Sequence, residues 1–253
     1  MNDSCPSQCQ SFSSHHENAI VATDFVSKLR DQVPTFLKDI EQTLLEQYNL
    51  NVSDHEADHI CWRTSTVEEY TELVTSLKQS SEVRLLIESM VGGRLIATFQ
   101  LEYSIPVQRF HNVKFTTEIS NDHTQFSYFR YIDTIEIPSP KKASQYKSGL
   151  EHVEFVIPTS TFGVLSSNPI DKNVSSFNDG NILFITPQND IHHQTTFEEF
   201  MMIHANVPWN IKAMQKELNP DISIQLKNKD CSVKFHLIPL AQVIEYEKSL
   251  KHE

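Results

Sequence analysis

Four segments of this chain alternate apolar residues with groups that can do chemistry. In Asp58–Thr64, Ile60 and Trp62 alternate with His59, Cys61 and Arg63. In Tyr131–Pro138, Ile135 and Ile137 oppose Thr134 and Glu136. In Glu151–Ile157, Val153, Phe155 and Ile157 oppose His152, Glu154 and Val156. In Cys231–Ile238, Val233, Phe235 and Leu237 oppose Ser232, Lys234 and His236. A fifth segment, Arg94–Glu102, adds Arg94, Thr98 and Gln100 to the polar set. A single histidine on a strand is most often a surface residue. Here each of four strands presents an imidazole or a carboxylate near its middle. Three imidazoles and a carboxylate on one sheet face suit a first-row transition metal such as Zn, Ni, Mn or Fe. Glu154 stands two residues past His152 on the same face, where it serves as a general base or as a replacement ligand. Arg63, Arg94 and Lys234 can hold a substrate carboxylate or phosphate, or balance Glu136 and Glu154. The remaining histidines, among them His111, His123, His192 and His193, read as loop residues.

Residues 1–22, rich in Ser, His, Asn and Gln, read as a disordered tail, since they bury too little surface to offset ordering entropy. Cys5, Cys9, His15 and His16 within it match no common zinc spacing. One domain, 23–253, follows. A short helix capped by Asp24 leads to a second one, about Pro34–Tyr48, with Phe36, Leu37, Ile40, Leu44, Leu45 and Tyr48 on its apolar face. After the strand at Asp58 comes a helix over Thr66–Lys78, with Thr66 and Glu69 spaced as a capping box. Strands at Val83–Ser89 and Arg94–Glu102, joined by Gly92–Gly93, and at Tyr131–Pro138 complete a βαβββ unit. The second half repeats the pattern: strands at Glu151–Ile157, Asn181–Thr186, Asp221–Leu226 and Cys231–Ile238, and a helix around Phe197–Ala205. A final helix covers about Leu240–Leu250. The expected fold is α+β, with modules over about 55–140 and 148–240 and an added N-terminal helical segment.

Composition narrows the function classes. The 253 residues suffice for a large buried core, and 33 acidic against 21 basic residues give a net charge of −12. Such a field repels a phosphate backbone, so no nucleic-acid role is expected. No apolar run reaches membrane-spanning length, the N-terminus lacks a secretory signal, and four scattered cysteines form no disulfide framework. A soluble cytoplasmic protein with a small-molecule partner is the expectation, its oligomeric state open.

The blocks DHICWRT, MVGGRLIATFQL, TIEIPSPKK, GLEHVEFVIP and NPDISIQLKNKDCSVKFHLIP resemble, in that order, those of the bacterial YecM family. The resemblance runs from about Pro34 to the C-terminus. It implies the vicinal oxygen chelate superfamily, shared with glyoxalases, epimerases and extradiol dioxygenases, and hence a half-barrel of paired βαβββ modules. It also implies metal ligands from the first and fourth strands of each module: His59, Glu136, His152 and His236. The activity implied is that of a metal-dependent isomerase, epimerase or lyase acting on a small oxygen-rich metabolite. The alternative is a non-catalytic small-molecule or metal-binding module, and a dioxygenase is less favoured because four protein ligands leave few open positions. Segments at about 112–127 and 159–220 are longer than in the bacterial proteins and are expected to flank the cleft.

Overall fold

The structure is a computed structural model that describes residues 9–53, 55–114, 123–141, 147–157, 195–216, 219–227 and 229–250. Among them a mixed seven-stranded sheet and four helices make an α+β protein. Helix α1 (Cys9–Tyr48) precedes β1 (Glu56–Arg63), α2 (Val67–Lys78), β2 (Val83–Val91), β3 (Arg94–Lys114) and β4 (His123–Pro138). Then come β5 (Gly149–Val156), α3 (Phe197–Ile203), β6 (Asp221–Gln225), β7 (Ser232–His236) and α4 (Leu240–Leu250).

The first of these elements overturns an expectation. The boundaries expected near residue 22 and at Pro34 do not exist, because α1 is one helix of 40 residues with Pro34 inside it. Its buried stripe explains the continuity: Ala22, Val26, Leu29, Val33, Leu37, Ile40 and Leu44 are at most 1% exposed. Val33 and Leu37 straddle the proline, so the apolar face is unbroken where one hydrogen bond is lost. Asn49 ends the helix in the left-handed region, φ 52°, which asparagine tolerates.

The strand order is β2-β3-β4-β1-β5-β7-β6. At its centre β1 and β5 run antiparallel, with Ile60 opposite Val153. Each is flanked by a parallel neighbour, β4 beside β1 and β7 beside β5. One sheet face carries Ile60, Phe99, Ile135, Val153, Phe155, Val233 and Phe235, all fully buried. The other carries the polar groups. Gly92 and Gly93, at φ +58° and +81°, turn β2 into β3 as a two-residue hairpin requires. β3 and β4 then extend well past the expected strands as one ladder, from Ile105–Ile132 out to Lys114–His123. His111 and His123 therefore belong to strands rather than loops. The longer segment at 112–127 falls at the far end of this ribbon, in part outside the described residues. The expected strand at 181–186, residues 192–193 and most of the longer segment at 159–220 also lie outside them.

α2 begins as its sequence specifies, with Thr66 Oγ accepting from Glu69 N–H at 3.0 Å. The Glu69 carboxylate accepts from Ser65 N–H at 2.7 Å and Ser148 Oγ–H at 2.6 Å. That contact ties the start of α2 to the approach of β5. A complete capping box forms at α3, between Thr196 and Glu199. No helix among the described residues is long and apolar enough to cross a membrane.

Candidate metal centre

Strand register decides which polar residues meet. Thr98, Glu136, Cys61 and His152 stand in one cross-strand row over β3, β4, β1 and β5. His59, Glu154 and Lys234 stand in the next row over β1, β5 and β7. Two adjacent rows thus bring His59, Glu136, His152 and Glu154 together, with one potential ligand atom from each within 4.8 Å of all the others. His59 Nε2 is 3.4 Å from Glu154 Oε1 and 3.7 Å from Glu136 Oε2, and His152 Nε2 is 3.1 Å from Glu154 Oε1. The His59 side chain is 1% exposed and its Nε2 makes no hydrogen bond.

A bulge completes the first imidazole's surroundings. The β1–β5 register shifts between Ala57 and His59, so Asp58 is an extra residue that turns beside His59 instead of to the opposite face. Its Oδ2 lies 2.8 Å from His59 Nδ1. Strict alternation hides Asp58 from a sequence reading, and no signal short of the pairing register finds it. A matching shift between Cys61 and Trp62 makes Glu151 the extra residue of β5, immediately before His152. Glu151 pairs with Arg63 at 2.8 Å and accepts from the Cys61 thiol at 3.7 Å, while His152 Nδ1 has no hydrogen-bond partner.

His236 is not in the group of four. It stands opposite Val156, one strand step beyond the Glu154–Lys234 pair. Its Nδ1 bonds the Ile238 carbonyl, and its Nε2 lies 3.4 Å from Asp58 Oδ2. Together with Asp58 and His59 it forms a second, smaller cluster beside the first. By register the β7 counterpart of Glu136 is Lys234, since Glu136 opposes Cys61 as Lys234 opposes Glu154. Lys234 pairs with Glu154, Arg63 pairs with Glu151, and Arg94 donates to the Ser139 carbonyl at 3.3 Å.

The electrostatics follow from burial and these contacts. Burial disfavours a charged His59, yet Glu154, Glu136 and Asp58 outweigh it and hold its pKa well above the usual imidazole range. Burial and the Lys234 charge push His152 down. Glu154 is buried, but Lys234, His59 and His152 keep it well below the usual carboxylate range. Burial pushes the Cys61 thiol well up, with Glu151 and Glu136 adding to the effect. Burial also opposes ionisation of Glu151, but Arg63, His152 and Arg94 bring it down to about 2. A depressed folded-state pKa stabilises the fold above the unfolded value and loses that contribution as pH falls. Glu151→Gln is therefore expected to lower the unfolding midpoint at pH 7, with the deficit shrinking as pH falls from the ordinary glutamate value of 4.5 toward about 2. Thermal denaturation of both proteins across that range checks it, and a pH-independent deficit contradicts it.

Residues 26–247 match the family described as YecM protein. The chain belongs to the YecM family. It is 28% identical to Protein YecM of Escherichia coli strain K12 over 138 residues, which is 53% of this chain and 60% of that protein. It is 26% identical to an uncharacterised protein of Haemophilus influenzae over 117 residues, 46% of this chain and 50% of that one. The matched segments thus span half to three-fifths of those relatives' own lengths. Among solved structures, a structural-genomics target titled Protein EC4020 superposes with a TM-score of 0.52. It covers 87% of this chain and 92% of its own at 18% identity, which speaks to the fold.

Proposed function

We propose that this chain holds a divalent transition-metal ion through His59, Glu136, His152 and Glu154, as a metal-binding protein of the vicinal oxygen chelate type. One observation carries the reading: the buried His59 Nε2 has no hydrogen bond and faces two carboxylates and a second imidazole at near-ligand spacing. Carboxylates buried this close together need positive charge among them, which His59 and Lys234 supply in the metal-free protein and which a bound divalent ion would supply in their place. Two imidazoles and two carboxylates form a donor set that suits Zn, Ni, Mn or Fe. The strand order supports paired βαβββ modules, because β1 with its parallel β4 is mirrored by β5 with its parallel β7 across the central antiparallel pair.

A divalent ion here supplies Lewis acidity toward two adjacent oxygens of a small metabolite, the chemistry of an isomerase, epimerase or lyase. In this reading Arg94, which donates to the Ser139 carbonyl and acts on Glu151 through its charge alone, holds an anionic group of the ligand. Arg63 and Lys234 keep Glu151 and Glu154 ionised. Glu154 is a poor proton acceptor while paired with Lys234, which supports a place in the ligand set over general-base work. The same pairing favours a second reading, a non-catalytic binding module. Elemental analysis of untagged protein tests the metal. An anomalous-edge crystal structure of the loaded protein then separates the two readings. An exchangeable water on the ion supports an enzyme, and a closed protein shell supports storage or structure.

A further inference from the structure

The geometry points to Asp58 as a positioning residue that orients the metal-facing imidazole and, through the same oxygen, anchors the C-terminal helix across the metal-bearing face. The inference rests on the metal reading above for what His59 Nε2 does, but not for the contacts themselves. Asp58 Oδ2 accepts from His59 Nδ1 at 2.8 Å and from the backbone N–H of Leu240, the first residue of α4, at 3.0 Å. A carboxylate oxygen accepts from a ring N–H, so in the neutral ring the His59 proton is held on Nδ1 and the Nε2 lone pair faces Glu136, Glu154 and His152. Carboxylates placed behind metal-bound imidazoles in this way fix the tautomer and ring angle.

The other half of the contact concerns α4. The helix leaves the end of β7, is capped at Asp58 in β1, and packs Leu240, Val243 and Ile244 on Leu86 and Ile87 of β2. Ile87 stands opposite Thr98, which stands opposite Glu136, so it lies on the metal-bearing face. β4 and β3 separate β1 from β2, and α4 therefore bridges that face beside the four-residue group. The molecule holds its own contrast. Glu151 occupies the equivalent bulge before His152, yet it is turned to Arg63 and Cys61, and among the described residues it caps no helix. Of these two bulges, the one at Asp58 joins an imidazole to a helix.

The test uses the full-length chain with Asp58→Asn. Long-range 15N–1H spectra of the metal-free protein, recorded at alkaline pH where the ring is neutral, are expected to show the Nδ1–H tautomer of His59 in wild type and a mixture or reversal in the variant. Zinc affinity, measured against a chromophoric chelator, is expected to fall about 10- to 100-fold. Hydrogen exchange at the first turn of α4 is expected to speed up. A second variant, Val243→Asp with Ile244→Asp, undocks α4 without touching Asp58. It should lower zinc affinity in the same direction by a smaller factor, which a purely structural helix contact would not do. If Asp58→Asn does not fold, Asp58→Glu is read instead, and its retained carboxylate should restore the Nδ1–H tautomer. Unchanged tautomer and unchanged α4 exchange in the variant overturn the inference. Failure of wild type to bind zinc or any other transition metal overturns the metal reading alone, since the tautomer and exchange arms still judge Asp58.

Discussion

Replacing His59 and His152 together by alanine is expected to abolish stoichiometric binding of a divalent transition metal while leaving a folded protein. Structural zinc sites with four ligands bind with about 10–16 kcal/mol, so one ligand is worth about 3 kcal/mol, roughly two decades of affinity. Glu136→Gln and Glu154→Gln should then each weaken binding about a hundredfold, because both carboxylates lie within 4.8 Å of both imidazoles. His236→Ala should cost less than about tenfold, since its Nδ1 is committed to the Ile238 carbonyl and its Nε2 faces Asp58. Calorimetric or chelator-competition titrations of the set, with circular dichroism to establish folding, decide the matter. Full retention of metal in Glu154→Gln with loss in His236→Ala would restore the ligand set that the family resemblance implies.

The second large effect is expected at Arg130, which belongs to neither carboxylate–imidazole cluster. Its side chain, 7% exposed, bonds Glu41 at 2.7 Å and the Val52 carbonyl at 2.9 Å. It also reaches the carbonyl of His55, and its guanidinium lies 5.1 Å from the centre of the Phe155 ring. One planar fork thereby fastens the segment between α1 and β1 to both the helix and the sheet. Arg130→Met leaves a carboxylate and several carbonyls without their donor, a loss of about 3–5 kcal/mol by analogy with broken buried pairs. Arg130→Lys should recover little, because one ammonium cannot span partners that a guanidinium reaches with separate nitrogens. Urea unfolding measures both, and a loss under about 1 kcal/mol in Arg130→Met would show the clasp to be dispensable. The same variant should weaken metal binding as well, because the clasped segment feeds directly into β1 and His59.

Much of this architecture is local and legible. The alternation of Ile60, Val153, Val233 and Phe235 with polar neighbours marks the central strands, and their faces sort as the period of two requires. The cap at Thr66 and the span of α4 are equally local, since capping chemistry and apolar period act over a few residues. The continuity of α1 through Pro34 is not local. A proline signals a boundary by itself, and only the stripe buried on both sides of it overrides that signal.

The site divides along the same line. Residue type and alternation determine that His59, Glu136, His152, Glu154, Lys234 and His236 share one face of one sheet. They do not distinguish Lys234 from His236, which stand two residues apart on the same face of β7. The stagger of β7 against β5 brings Lys234 beside Glu154 and leaves His236 beyond it. Nor do they bring Asp58 to that face, because strict alternation assigns it to the other side. One extra residue between Ala57 and His59 turns it around, and a bulge exists only relative to the strand it is paired with. Sequence therefore determines which groups are available to the centre. Which of them meet is set by register, a property of two strands together that neither strand carries alone.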